Sequence, residues 1–269
     1  MLGDSGPVIL MSHGSPGGYD IVEPVPGEFR TLAPSRPGYL RTPLELGLTP
    51  EEQAHVFAAL LDHLAIDEVI VFVVSAGGPA GLSFAALYPE RTLAVVAAEA
   101  VSGPIALPFL MPVVTGDFPV WVLGHIGWRL MGRRGLVRVM IPDAANRARL
   151  AEEPAGEEEL VVLMGHAWPL TPRFPGTNND SSQFVGVELP LAQITAPTLV
   201  VHGTADTNVP FEHGERTSAA IMNSQLHVIE GGDHLMPFTH KREFDTVVGD
   251  FLEGICSPQT TVNSGRVES

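Results

Sequence analysis

The chain has 269 residues, 45% of them hydrophobic, so it is long enough for one large domain with an insertion. Its formal net charge of −16 argues against nucleic acid or an anionic membrane surface as a partner. A single cysteine, Cys256, excludes an internal disulfide framework and favours a reducing, cytoplasmic location.

Two strands and a helix are predicted in the first part of the chain. Pro7–Met11 is a short apolar run that predicts a buried strand, and the stretch before it lacks the basic segment of a signal peptide. Phe29–Ala33 predicts a second strand. Thr49 is the expected N-cap of an apolar helix, because Pro50 stands at the first helical position and Glu52 completes a capping box.

The stretch Asp67–Pro89 organises the rest of the chain. Val69–Val74 predicts a strand buried on both faces, and an apolar helix follows until Pro89 stops it. Ser75 lies on the sharp turn between them, where its hydroxyl leaves the sheet and the next amide begins a helix. This pattern predicts a nucleophile elbow; the alternative is an incidental serine in an ordinary glycine-rich turn.

Between residues 103 and 189 the alternation of strands and helices breaks. Apolar helical segments and charged clusters in this region predict a helical cap over the carboxyl edge of the sheet. Asp117 and Arg129 interrupt the apolar stretch from Ile105 to Met131, so we expect no bilayer span. The cap residues that would line an apolar pocket if they faced the sheet are Phe109, Leu110, Trp121, Leu123 and Trp128.

The remaining core elements complete an α/β pattern. The predicted strands are Leu93–Ala98, Pro197–His202 and Gln225–Ile229, and the predicted helices are Pro210–Met222 and about Phe238–Leu252. Strands that alternate with helices indicate a mostly parallel sheet flanked by helices. The predicted division is a core of residues 1–102 and 190–256, a helical cap of residues 103–189, and a disordered tail of residues 257–269.

Two further residues make the turn at Ser75 a candidate catalytic site. A serine hydroxyl is a weak nucleophile that needs a base, and the base needs an orienting carboxylate. Asp206 and His234 each follow a predicted strand, so both lie in loops at carboxyl strand ends. The order Ser75, Asp206, His234 is that of the α/β-hydrolase catalytic triad.

Other polar residues near these positions receive different interpretations. Glu99 directly follows a predicted strand and is the rival to Asp206 as the orienting acid. Asp233 is interpreted as solvated, because it should point away if its neighbour His234 points inward. His13 and His202 are interpreted as structural histidines, His13 as a brace for the loop that contains it.

An oxyanion hole needs one N–H group from the residue after the nucleophile and one from the loop after an early strand. Ala76 supplies the first of these. In the loop His13–Gly18, Pro16 has no N–H group, so Ser15 is the better second donor.

The segments HGSPGG, APSRPGY, VSAGGP, VVHGTAD and EGGDHL give the sequence its resemblance to the capped branch of the α/β-hydrolase superfamily. That branch contains esterases, meta-cleavage-product hydrolases and proline iminopeptidases. The resemblance covers nearly the whole chain. It implies the fold, a cap after the sixth of the usual eight strands, the triad above, and hydrolysis without a metal or other cofactor.

The sequence departs from this pattern in two places. Val73 stands where the elbow pattern has its first glycine, so the elbow must shift or find compensating space. The usual first two strands have no counterpart before Pro7, which would expose the strand Phe29–Ala33 at the sheet edge. An exposed edge invites pairing with a second copy, so we expect a homodimer or poor solubility.

The expected function is that of a serine esterase acting on small neutral esters with short to medium acyl chains. No basic residue lies in the elbow or in the loop His13–Gly18 to bind a substrate carboxylate, although Arg36 and the cap arginines could do so from further away. The alternatives are a carbon–carbon bond hydrolase of the meta-cleavage type, an aminopeptidase, and a ligand receptor that hardly turns over.

Overall fold

The computed structural model describes residues 1–22, 25–105, 130, 132, 134–135, 137–166 and 169–257. Several predictions therefore fall outside the described residues. They are the interruptions at Asp117 and Arg129, the tail from residue 258 onward, and the cap side chains Phe109, Leu110, Trp121, Leu123 and Trp128.

A parallel sheet forms the centre of the described structure, as predicted. Its six strands are ordered β2-β1-β3-β4-β5-β6, and every neighbouring pair is parallel. The strands are β1 (Val8–Ser12), β2 (Arg30–Leu32), β3 (Val69–Val74), β4 (Thr92–Ala98), β5 (Thr198–Gly203) and β6 (Ser224–Ile229).

Helices flank this sheet, and the capping box predicted for the first of them is present. Glu52 N–H donates to Thr49 Oγ1 at 3.2 Å, and Thr49 N–H donates to Glu52 Oε2 at 3.0 Å. Within the described residues, the helices with both ends defined are α1 (Pro50–His63), α2 (Gly78–Leu87), α3 (Ala144–Glu152), α4 (Pro154–His166), α5 (Phe174–Gln183), α6 (Glu212–Ala220), α7 (Met236–Thr239) and α8 (Lys241–Cys256).

The single helix predicted at about Phe238–Leu252 is wrong in its start. The structure has α7 and α8 instead, separated by His240, whose φ of −122° and ψ of 37° are not helical. Residues 239–243 (THKRE) contain no glycine or proline that would mark this break, so the sequence alone did not reveal it.

Strand β3 shows why the sheet is buried on both faces. Its side chains alternate, so Val71 packs into one apolar cluster with Phe57 of α1, whereas Phe72 packs into a second with Phe244 of α8. Each such side chain contributes about 1.5–3 kcal/mol by leaving water. Packing on both faces of the sheet therefore fixes the carboxyl end of β3, which Ser75 directly follows.

The edge strand β2 is less exposed than the sequence suggested. Leu2 pairs with Thr31 in an antiparallel bridge, with Leu2 N–H donating to Thr31 O at 2.9 Å and Thr31 N–H donating to Leu2 O at 2.7 Å. Part of the edge that we expected to be free is therefore occupied by the chain's own N-terminal segment. Self-association through β2 stays a prediction.

The helices α3, α4 and α5 are inserted between β4 and β5. Of these, α5 lies against the loops that follow β1 and β2, as shown by the bonds from Ser15 Oγ to Thr177 Oγ1 at 3.0 Å and from Gly176 N–H to Gly38 O at 2.8 Å. Within the described ranges, none of the helices has both the length and the apolar character that crossing a membrane requires.

Candidate active site

Ser75 lies on a tight turn between β3 and α2. Its φ is +51°, a left-handed conformation that non-glycine residues seldom adopt and that is frequent at functional sites. The turn passes so close to β1 that a Cβ atom added to Gly77 would lie 2.0 Å from Ser12 O. Ser12 Oγ also donates to Gly77 O at 2.8 Å, so β1 fixes the position of the turn.

His234 and Asp206 lie in adjacent loops, because β5 and β6 are neighbours in the sheet. The two loops are also bonded to each other. Ala205 N–H donates to Gly232 O at 2.9 Å, and Gly231 N–H donates to Thr204 Oγ1 at 2.8 Å. The carboxylate and the imidazole are therefore mounted on one connected unit.

The structure brings the three predicted residues into one chain of contacts. His234 Nε2 lies 2.9 Å from Ser75 Oγ, and His234 Nδ1 lies 2.8 Å from Asp206 Oδ2. The His234 side chain is 18% exposed, whereas the Asp206 side chain is fully buried. This arrangement has the geometry of a hydroxyl nucleophile with a base and an orienting acid.

Backbone groups hold the Asp206 carboxylate in place. Its Oδ1 atom accepts hydrogen bonds from Asn208 N–H at 2.8 Å and Val209 N–H at 2.9 Å, which leaves Oδ2 directed at His234. His202 lies behind it, with Nε2 3.6 Å from Asp206 Oδ2 and 2.9 Å from Val209 O. Burial lowers the pKa of His202, so its neutral form donates through Nε2 to Val209 O.

The interpretation of Asp233 as a solvated residue is wrong in part, because the residue is half-buried. Its Oδ1 atom accepts from Leu235 N–H at 3.0 Å, and burial raises the pKa of the carboxyl group. Asp233 therefore shapes the turn after His234. The rival acid Glu99 is buried, 2% exposed, at the end of β4 with a φ of +37°.

The loop after β1 runs directly past the nucleophile. A Cβ atom on Gly14 would lie 3.1 Å from Ser75 Cβ and 3.6 Å from Ser75 Oγ. Ser15 follows Gly14, and Ala76 follows Ser75, so the two predicted oxyanion donors flank this point of approach.

His13 braces the same loop. Arg36 N–H donates to His13 Nε2 at 3.0 Å, so the proton is on Nδ1, which lies 2.7 Å from Gly14 O. Burial, with the nearby Arg36 charge, lowers the pKa of His13 well below its ordinary value. A neutral, fully bonded histidine suits a structural role.

Comparison with known proteins gives the family. The sequence profile described as the alpha/beta hydrolase family matches residues 9–246. The chain belongs to this family.

Relatives of this alpha/beta hydrolase include proteins of different named activities. An alpha/beta hydrolase fold protein from Nakamurella multipartita is 32% identical, with a TM-score of 0.79 and coverage of 95% of this chain and 93% of that one. A 2-hydroxy-6-oxononadienedioate/2-hydroxy-6-oxononatrienedioate hydrolase from Cupriavidus pinatubonensis is 27% identical over 91% of this chain and 86% of its own length. An esterase from Thermogutta terrifontis shares the fold at 21% identity, with a TM-score of 0.66 and coverage of 95% and 92%.

This alpha/beta hydrolase also contains two buried arginines beside the site. Arg36, which we considered as a distant partner for a substrate carboxylate, is 1% exposed and binds Asp180 through two hydrogen bonds of 2.9 and 2.7 Å. Arg173 is fully buried and binds Asp20 in the same manner, at 3.0 and 2.7 Å. Both guanidinium groups are therefore already paired within the protein.

No motif in the sequence points to Arg173, Asp20 or Asp180. The members of each pair are 144 and 153 residues apart in the chain, so no local spacing connects them. Charged residues are ordinarily exposed, and nothing in the sequence marks Arg36, Arg173 and Asp180 as buried.

Proposed function

We propose that this chain is a serine hydrolase that cleaves neutral carboxylic esters through an acyl-enzyme on Ser75. The observation that carries this proposal is the position of His234, with Nε2 2.9 Å from Ser75 Oγ and Nδ1 2.8 Å from Asp206 Oδ2. The family membership independently supports hydrolysis as the reaction class.

In the first half of the reaction, Ser75 Oγ attacks the ester carbonyl carbon while His234 Nε2 takes the hydroxyl proton. Asp206 stabilises the resulting imidazolium and holds the ring in place. The backbone N–H groups of Ser15 and Ala76 bind the oxyanion of the tetrahedral intermediate. The intermediate collapses to the acyl-enzyme, and His234 gives its proton to the departing alcohol.

In the second half, His234 takes a proton from water, and the hydroxide formed attacks the acyl carbonyl. The same two amides bind the second oxyanion. Collapse of this intermediate breaks the bond to Ser75 Oγ, which recovers its proton from His234 as the carboxylic acid leaves. No electron transfer is involved, and the enzyme returns to its starting state.

The pairing of each buried arginine with a carboxylate supports a neutral substrate. Arg36 and Arg173 are the buried cations beside the site in the described part of the chain, and each is neutralised by a bidentate carboxylate. To bind either one, a substrate carboxylate would have to displace Asp180, which is buried, or Asp20, whose side chain is 28% exposed, and breaking such a pair is unfavourable.

A small apolar cluster beside the nucleophile supports an apolar acyl or alcohol group. It consists of Ala76, Val101, Phe184 and Val209, with Ile105 packed against it. Ala76 directly follows the nucleophile, and Val209 donates its N–H group to Asp206. Each methylene buried against such a surface contributes about 0.8 kcal/mol until the space is filled.

Cleavage of a carbon–carbon bond is the second candidate. It is favoured by the similarity to the C. pinatubonensis hydrolase, whose named substrates are dioates. Such substrates carry two carboxylates, and the pairing of Arg36 and Arg173 argues against them.

A p-nitrophenyl ester series from acetate to palmitate, beside a dienoic ring-fission product, distinguishes the two candidates. Ester hydrolysis predicts that kcat/KM rises by about fourfold per methylene over the first few carbons and then falls. Cleavage of the ring-fission product without activity on any ester would reject the proposal in favour of the carbon–carbon hydrolase.

A further inference from the structure

The loop His13–Gly18 is held near both of its ends by the two buried arginines. Arg36 Nε donates to His13 O at 3.0 Å, and Arg173 Nη1 donates to Gly17 O at 2.6 Å. Ser15, the proposed second oxyanion donor, lies between these two anchored carbonyl groups.

Each arginine is in turn fixed by a carboxylate from another part of the chain. Arg36 follows β2 and binds Asp180 of α5, whereas Arg173 immediately precedes α5 and binds Asp20, which follows β1. In the first pair the core supplies the arginine and α5 supplies the carboxylate. In the second pair the arginine adjoins α5 and the core supplies the carboxylate. Tyr39 strengthens the first pair by donating its hydroxyl to Asp180 Oδ2.

A third connection reaches Ser15 directly. Ser15 Oγ donates to Thr177 Oγ1 at 3.0 Å, and Thr177 Oγ1 donates to Arg173 O at 3.1 Å. Helix α5 thus bonds to the side chain of the residue whose backbone amide is the proposed donor.

A gain in stability does not by itself explain the two ion pairs. Desolvation offsets much of the Coulombic attraction of a buried ion pair, so apolar side chains of similar volume stabilise a fold equally well. The two arginines that hold this loop do supply fixed geometry, since a guanidinium group binds a carboxylate and a carbonyl oxygen in set directions.

We propose that Arg36 and Arg173 are positioning residues that hold the Ser15 amide where the oxyanion forms, with α5 as their support. This inference rests on the proposed function, because it takes Ser15 and Ala76 as the oxyanion donors. Neither arginine touches the reacting atoms, and both act through the loop His13–Gly18. The inserted helix α5 is thereby part of the support of the oxyanion hole.

The test uses Arg36→Lys and Arg173→Lys, which keep the positive charge but remove the bidentate geometry. A misplacement of about 1 Å costs about 10²-fold in rate, so kcat on a p-nitrophenyl ester should fall by that order with KM nearly unchanged. The affinity for an aryl trifluoromethyl ketone, whose hemiketal with Ser75 carries an oxyanion, should fall by the same factor. The affinity for the corresponding alcohol, which forms no hemiketal, should stay at the wild-type value.

Arg91→Lys is the matched control. Arg91 also binds a carboxylate, that of Asp62, and two backbone carbonyl groups, but at the opposite end of the sheet. This variant should keep wild-type kcat and ketone affinity. Equal losses in Arg91→Lys, or unchanged kcat in both Arg36→Lys and Arg173→Lys, would overturn the inference.

If the arginine variants do not fold, Thr177→Val tests whether α5 supports Ser15. It leaves both ion pairs intact and removes the acceptor of the Ser15 hydroxyl, so kcat and ketone affinity should each fall about fivefold, the equivalent of one hydrogen bond. Wild-type values would overturn the inference that α5 supports the Ser15 amide. Ser75→Ala separates this result from the parent proposal: wild-type activity there would reject the proposed function itself.

Discussion

The side chain of Val73 occupies the space that a side chain at position 81 would need. A Cβ atom on Gly81 of α2 would lie only 2.3 Å from Val73 Cγ1. The elbow pattern has a glycine at position 73, whereas here the small residue stands on the facing helix. Gly81 therefore supplies the compensating space, and Ser75 keeps its left-handed conformation with Val73 fully buried.

Gly81→Ala should therefore destabilise the protein. In a helix without such a neighbour, this change stabilises by about 0.5–1 kcal/mol. Here the added methyl group collides with Val73, and overpacking of this kind costs about 1–3 kcal/mol. Urea unfolding monitored by circular dichroism gives the free energy of unfolding for both proteins.

The double variant Val73→Ala/Gly81→Ala tests the cause of that loss. Removing the γ-methyl groups opens space for the new methyl, so the double variant should be more stable than the sum of the two single changes predicts. Additive effects would show that the clash between these two residues is not the cause.

Ser75→Ala should abolish the proposed ester hydrolysis while leaving the fold intact. The loss in kcat should be about 10⁴-fold or more, because removal of the nucleophile stops formation of the acyl-enzyme. Circular dichroism and the melting temperature check the fold, and p-nitrophenyl butyrate measures activity. Activity at the wild-type level would exclude Ser75 as the nucleophile.

Asp206→Asn should reduce kcat by about 10⁴-fold, because an amide in place of the carboxylate favours the wrong His234 tautomer. Asp206 Oδ2 lies 2.8 Å from His234 Nδ1. Glu99→Gln is the matched comparison, since Glu99 is also a buried carboxylate at the end of a strand. An inactive Glu99→Gln beside a nearly wild-type Asp206→Asn would reverse the assignment.

The sequence predicted all six strands of the described sheet, because most of them are apolar runs with a clear turn after them. The same pattern placed Ser75, Asp206 and His234 at carboxyl strand ends, which parallel strands bring to one edge. It could not place Arg173 beside Gly17, because that contact depends on how the inserted helices dock. The Leu2–Thr31 pair was missed for a related reason, since a single bridge has no periodicity.

His213 should make the protein less stable as the pH falls below neutrality. His213 is buried at the start of α6, and its Nδ1 atom accepts a hydrogen bond from Ser102 N–H at 3.1 Å. Burial, with Arg216 nearby, lowers the pKa of His213 to about 4. An unfolded histidine has a pKa of about 6.5, so between these two values the unfolded chain binds more protons.

The free energy of unfolding should therefore decrease as the pH is lowered from about 6.5 towards 4. His213→Asn removes the titrating group but keeps an oxygen that can accept from Ser102 N–H. Its free energy of unfolding should decrease less between pH 7 and pH 4.5 than that of the wild type. Urea titrations at pH 7, 6, 5 and 4.5 measure the difference, and because every other titrating group is common to both proteins, an equal decrease would contradict the role assigned to His213.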